Sequence, residues 1–160
     1  MAIFQFAFVI ESQMGLTNAV REAARRVAAQ TDTTPNWASL QGFVQAELCG
    51  AANPNCDTGL LEENVPAFSR ALLSTNPPVV TFCVYDVVGS AGTINNYQVD
   101  VHVEYEHPLF FGMLSFATDA IDGDPNGRWD LTADAQMRME YPDESELGFS
   151  GPGGLPCPNT

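Results

Sequence analysis

The apolar pattern of this chain predicts an α+β fold: a long N-terminal amphipathic helix packed on a small antiparallel sheet of about three or four strands. Three observations predict it. Apolar or small residues recur at Ile3, Phe6, Ile10, Thr17, Val20, Ala24 and Val27, the three-and-four spacing of a helix face. Later the period drops to two, in "YQVDVHVEYE" (97–106) and again in "DLTADAQMRMEY" (130–141). A sheet with one apolar face needs a cover, and amphipathic helices supply it.

The elements follow in order. Glu11, Gln13, Arg21, Glu22, Arg25 and Arg26 occupy much of the first helix's remaining surface, and no proline interrupts it before Pro35. One helix of about 28 residues is expected, about 40 Å long at 1.5 Å per residue, which would outreach a small domain. "TTPNWASLQGFVQAELCG" predicts a second helix, with Thr34 as N-cap, Pro35 at the first helical position and Trp37, Leu40, Val44 and Leu48 along one face. Gly50 ends it. A short third helix is expected around Pro66 to Leu73, stopped by Asn76 and two prolines. "VVTFCVYDVV" (79–88) is β-rich on both faces, and "GSAGTINN" reads as the hairpin loop to the next strand. In that next strand Tyr97, Val99, Val101, Val103 and Tyr105 share the apolar face, and Gln98, Asp100, His102, Glu104 and Glu106 the polar one. A short apolar helix or turn is expected from Pro108 to Ala117. The last strand puts Leu131, Ala133, Ala135, Met137, Met139 and Tyr141 on one side. Residues 1–30 thus form the helix, 31–141 the head, and 142–160, rich in proline and glycine, an extended tail.

Charge and composition exclude some partners. Twenty acidic residues stand against six basic ones, a formal net charge of -14. All six are arginine. Phosphate binding needs clustered Lys or Arg, so no nucleic-acid partner is expected. The four cysteines are Cys49, Cys56, Cys83 and Cys157. Cys49 and Cys56 bracket the turn-forming "GAANPN", so a local disulfide is the first expectation, leaving Cys83 and Cys157 for each other. Such bonds place the domain outside the cytoplasm; the alternative is four free thiols inside it. Zinc is disfavoured, since no Cys-x-x-Cys occurs and His102 and His107 lie far from the close cysteine pair.

The most specific local motif is "DGDPNGRWD". Asp122, Asp124 and Asn126 alternate, Gly127 follows, and Asp130 sits where a further ligand would, as at the front of an EF-hand loop. The twelfth position is Ala133, not a bidentate Glu, though Asp119 or Asp134 could add an oxygen. The same letters also describe a solvated turn from a helix to a strand. Calcium is the one metal for which the sequence offers ligands; no other cofactor is expected. For catalysis the signals are absent: no Gly-x-Ser-x-Gly elbow, His-Glu-x-x-His pair or phosphate-cradling glycine loop occurs. His102, between Asp100 and Glu104 on a polar strand face, reads as a surface residue, and an enzyme is not expected. Arg21, Arg25 and Arg26 suit either anionic lipid or the helix's own C-terminal dipole and Glu22.

The segment "MAIFQFAFVI" is too short to span a bilayer, which takes about 20 apolar residues. It also lacks the charged start and small-residue cleavage site of a signal peptide. Followed by "GLTNAVREAARRVAA", then by "VHVEYEHPLFFGML" and a last strand with "AQMRME", it resembles the TadE-like family, pseudopilins or minor pilin-like components of the tight-adherence (Flp) type IV pilus system. The order of elements matches over roughly residues 3–140. The matching letters concentrate in Ala19, Arg21, Glu22, Ala23, Ala24 and Arg25, and in Arg138 and Glu140. The resemblance implies a pilin-like fold and a mechanical, non-catalytic role in pilus assembly and surface attachment. It implies that Phe4, Phe6, Phe8, Val9 and Ile10 form the far end of a membrane anchor whose beginning lies upstream, and that Val20, Ala24 and Val27 pack beneath the sheet. Its partners would be other pilin or pseudopilin subunits and the assembly machinery. Its place would be the cell envelope, anchored in the inner membrane with the head outside, or in an extracellular pilus. The prepilin-like signal of the family is not seen here, the cysteine insert and the tail lie outside the shared pattern, and the Asp-x-Ser-x-Ser site of von Willebrand relatives is absent. The competing expectation is an extracellular calcium-dependent adhesive or binding module using the acidic loop.

Overall fold

Helix periodicity and strand alternation resolve into three helices and three strands among the described residues, which in this computed structural model are 2–29, 37–50, 59–65, 79–88, 94–109 and 128–139. They are α1 (Ala2–Ala28), α2 (Trp37–Cys49), α3 (Leu60–Asn64), β1 (Val79–Val88), β2 (Ile94–Pro108) and β3 (Arg128–Arg138). The strands form one antiparallel sheet in the order β1-β2-β3. The α+β class is therefore as the pattern predicts, with the long helix laid on the sheet.

Register explains the core. Val99, Val101 and Val103 of β2 lie opposite Met137, Ala135 and Ala133 of β3 and opposite Val84, Phe82 and Val80 of β1. Because side chains alternate, Val99, Val101 and Val103 share one face of the sheet with Ala133, Ala135 and Met137. Onto it α1 sets Val9, Leu16, Ala19, Val20, Ala23 and Val27, all buried. Each large apolar side chain so enclosed contributes about 1.5–3 kcal/mol. Small residues at Ala19 and Ala23 on the helix and at Ala133 and Ala135 on β3 let the two backbones approach closely. Helix α1 lies mainly along β3 and β2, with α3 and α2 flanking it, and α2 reaches β1.

Two glycines are placed by close approach. A Cβ at Gly15 would sit 1.8 Å from the Asn64 carbonyl oxygen at the end of α3. Gly50 has φ 87° and terminates α2, with its N–H donating to the Ala46 carbonyl at 2.8 Å, as the sequence anticipates.

Several boundaries move. β2 starts at Ile94 and runs through His107 to Pro108, so it takes up part of the expected loop before it and the first residue of the expected helix or turn after it. The pairing slips between Val87 and Val88, beside the hairpin connection. β3 begins two residues early, at Arg128. The five-residue α3 was not anticipated: "LLEEN" is too short to show a helical stripe, and it forms because Leu60 and Leu61 are buried while Glu62 and Glu63 suit its first turn. The helix expected at Pro66 to Leu73, Thr34 and Pro35, the rest of the Pro108 to Ala117 segment, Tyr141 and the tail lie outside the described residues.

Candidate functional site: the outward face of the first helix

Helix α1 has 27 residues, about 40 Å, and β3, against which it packs, has 11, about 36 Å. Phe6 packs edge-to-face on Trp129 at 5.9 Å between ring centroids, and the Gln13 Nε2 donates to the Thr132 carbonyl at 2.7 Å. The N-terminal half of the helix therefore does not project past the domain; it is seated on the beginning of β3. The expected overhang is corrected by these contacts.

What distinguishes this half is an inverted distribution of polarity. Toward the domain it turns Gln5 and Ser12, 2% and 0% exposed, with Val9 between them. Outward it turns Ile3 at 82%, Phe4 at 64%, Ile10 at 59% and Met14 at 57%, with Phe8 and the exposed Glu11 beside them, while Phe6 is shared between this surface and Trp129. Ile3, Ala7, Ile10 and Met14 follow the four-three-four spacing that keeps one line along a helix. Of the five residues expected in the anchor, Phe4, Phe6, Phe8 and Ile10 are exposed, whereas Val9 belongs to the domain's own core. Met14 extends the patch one turn further. Ile3, Phe4, Phe6, Phe8, Ile10 and Met14 are an unusual concentration of apolar surface on one element. Among the described residues, no helix is long and apolar enough to cross a membrane.

About two turns past Met14 the outward face becomes densely charged. Arg25 donates to Glu22 through Nε and an NH2 group at 2.8 and 2.7 Å, and Arg26 Nε donates to the same carboxylate at 2.9 Å. Arg26 also pairs with Glu47 of α2. Hydrogen bonds from Arg25 and then Arg26 hold the Glu22 carboxyl at about 2. In the motif segment, Ala19, Ala23 and Ala24 are fully buried while Arg21, Arg25 and Arg26 are exposed, so its alanines make the seat on the sheet and its charges the rim. Arg138 is exposed at the end of β3, and Glu140 lies outside the described residues.

The other candidate residues do not join this patch. Asp122, Asp124 and Asn126 lie outside the described residues. Asp130 stands on the outer face of β3 opposite Glu106, and Asp134, a suggested extra calcium ligand, instead meets His102. No group of three or more His, Cys, Asp or Glu suited to a metal ion occurs among the described residues. Cys49 is buried and disulfide-bonded, and the side chains of Cys56, Cys83 and Cys157, and so the pairing, lie outside the described ones. His107, the last inward residue of β2, is buried beside Tyr105, their rings 6.0 Å apart edge-to-face. Burial lowers its pKa to about 4. Sequence reasoning missed Gly15 and the buried pair Gln5 and Ser12; a glycine inside an otherwise good helix was the available signal.

No family model matches the chain, and no curated protein or solved structure matches it.

Proposed function

We propose that this chain is a TadE-like, pilin-like subunit that works by assembly and not by catalysis, using the outward face of α1 as its membrane and subunit contact. The observation that carries the reading is the polarity of residues 3–14. A helix that only closed its own domain would turn its phenylalanines and isoleucines inward and its glutamine and serine outward. This one keeps Val9 inside and lays Phe6 over Trp129, yet it buries Gln5 and Ser12 while leaving Ile3, Phe4, Phe8, Ile10 and Met14 outward around a single charge, Glu11. That suits an element with largely apolar surroundings on its far side: lipid first, then the helices of neighbouring subunits. Apolar surface moved from such surroundings into water costs about 25 cal/mol per Å², so the helix would leave lipid only for another apolar partner. The disulfide at Cys49 supports a place outside the cytoplasm.

The test is photo-crosslinking in native cells, with a crosslinking residue in place of Ile10 and, as a control, in place of Thr132 on the opposite face of the domain. Adducts to lipid or to small apolar-helix subunits in envelope or sheared-fibre fractions, from Ile10 and not from Thr132, are expected. A soluble monomer giving no adduct from Ile10 would overturn the reading.

A further inference from the structure

On the sheet face turned away from the helices, β2 and β3 are paired so that His102 lies directly opposite Asp134. The His102 ring is half-buried and holds two contacts: Nδ1 to Asp134 Oδ1 at 2.5 Å, and Nε2 to Glu104 Oε1 at 3.2 Å. An ionised carboxylate only accepts hydrogen bonds, and a neutral imidazole has one N–H to give. Both contacts are hydrogen bonds together only when the ring carries its second proton.

We propose that His102 is a proton-operated fastener: the imidazolium form ties edge strand β3 to β2 through a charged pair with Asp134, with Glu104 of its own strand holding the other ring nitrogen, and the neutral form, which keeps only one of these hydrogen bonds, loses the charge that strengthens the tie. Among the described residues, the neighbours of this trio are uncharged or already hydrogen-bonded elsewhere. From β1, Thr81 lies opposite His102, Val79 opposite Glu104 and Cys83 opposite Asp100. Along β2 and β3, the Asp100 carboxylate accepts from Gln136 at 2.9 Å, Glu106 accepts from Arg128 at 2.5 Å, and Thr132 is uncharged. The described helices all lie on the other face. Partial burial opposes the charge on His102, and the hydrogen bonds and charges of Asp134 and Glu104 more than offset it, so its pKa is raised. A raised pKa in the folded chain means that the added stability is full below the ordinary imidazole value of about 6.5 and disappears as pH rises through the higher folded value. Strand β3 carries the seat of α1, through Trp129 and the Thr132 carbonyl. The fastener thus links pH to how firmly the helix is held, whatever covers the helix's far side.

The test is nitrogen-detected NMR of the imidazole rings in the full chain, followed from pH 5 to 9, with amide exchange of β3 read alongside. His102 should titrate above the ordinary value with both ring nitrogens protonated at pH 6.5, and Asp134→Asn should lower its midpoint. After correction for intrinsic rates, β3 amides should open about two- to five-fold more readily at pH 8.5 than at pH 6, the range that an exposed ion pair supports, and His102→Gln should abolish the difference. A His102 midpoint at or below the ordinary value, or one that Asp134→Asn leaves unmoved, overturns the proposal, and the wild-type titration alone decides the first point.

Discussion

Gly15 and His107 show how much single positions carry. In most helix interiors Gly→Ala is stabilising by roughly 0.5–1 kcal/mol, because alanine loses less backbone freedom. At Gly15 the added methyl would meet the Asn64 carbonyl at 1.8 Å, backbone that no rotamer change can move aside. Gly15→Ala should therefore destabilise, by about 1–3 kcal/mol in denaturant unfolding, as overpacked sites do. His107 opposes His102 in its pH response. Its pKa falls from the ordinary 6.5 to about 4, so the unfolded chain binds the proton first, and stability declines as pH drops from 6.5 toward 4. His107→Phe should flatten the urea-stability profile across that window; an unchanged slope would show that other groups set it.

At the scale of elements, α1 has two faces with different duties, and substitutions should separate them. Leu16 is fully buried, so Leu16→Ala should cost about 2–5 kcal/mol of stability. Ile10 is 59% exposed, so Ile10→Ala should shift the same unfolding curve by less than about 0.5 kcal/mol. The pair of results separates the helix's structural face from the face left for a partner. A large loss at Ile10 in the isolated domain would mean that the outward residues already serve its own core.

The whole molecule joins an acidic body to one helix with an apolar outward half. With a net charge of -14, raising ionic strength should stabilise the fold by screening self-repulsion, with or without calcium. The assembly reading adds a sharper expectation. At matched ionic strength, millimolar calcium should raise the melting temperature no more than magnesium does. A large calcium-specific rise would instead support the adhesive module, because a ligand that binds only the native state stabilises it by mass action.

The α+β class, the extent of α1, β1 to the residue, and the buried alternation of Val99, Val101 and Val103 were legible in the amino-acid order alone, because burial on one face imposes a period on the residues that share it. The same period made His102 look like any outward strand residue. Its two carboxylates come from its own strand and from Asp134, 32 positions away, and only the β2–β3 register brings the latter opposite it. Tertiary packing likewise decided that Val9 lies in the core while Phe4, Phe8 and Ile10 do not, that Gly15 answers to α3, and that the helix runs beside β3 instead of past it. In residues 3–14 apolar side chains occur nearly all round the helix, so local order does not say which side meets the sheet. That choice was made by the fit between small residues on α1 and β3 and by the Phe6–Trp129 and Gln13–Thr132 contacts, which exist only once distant strands have paired.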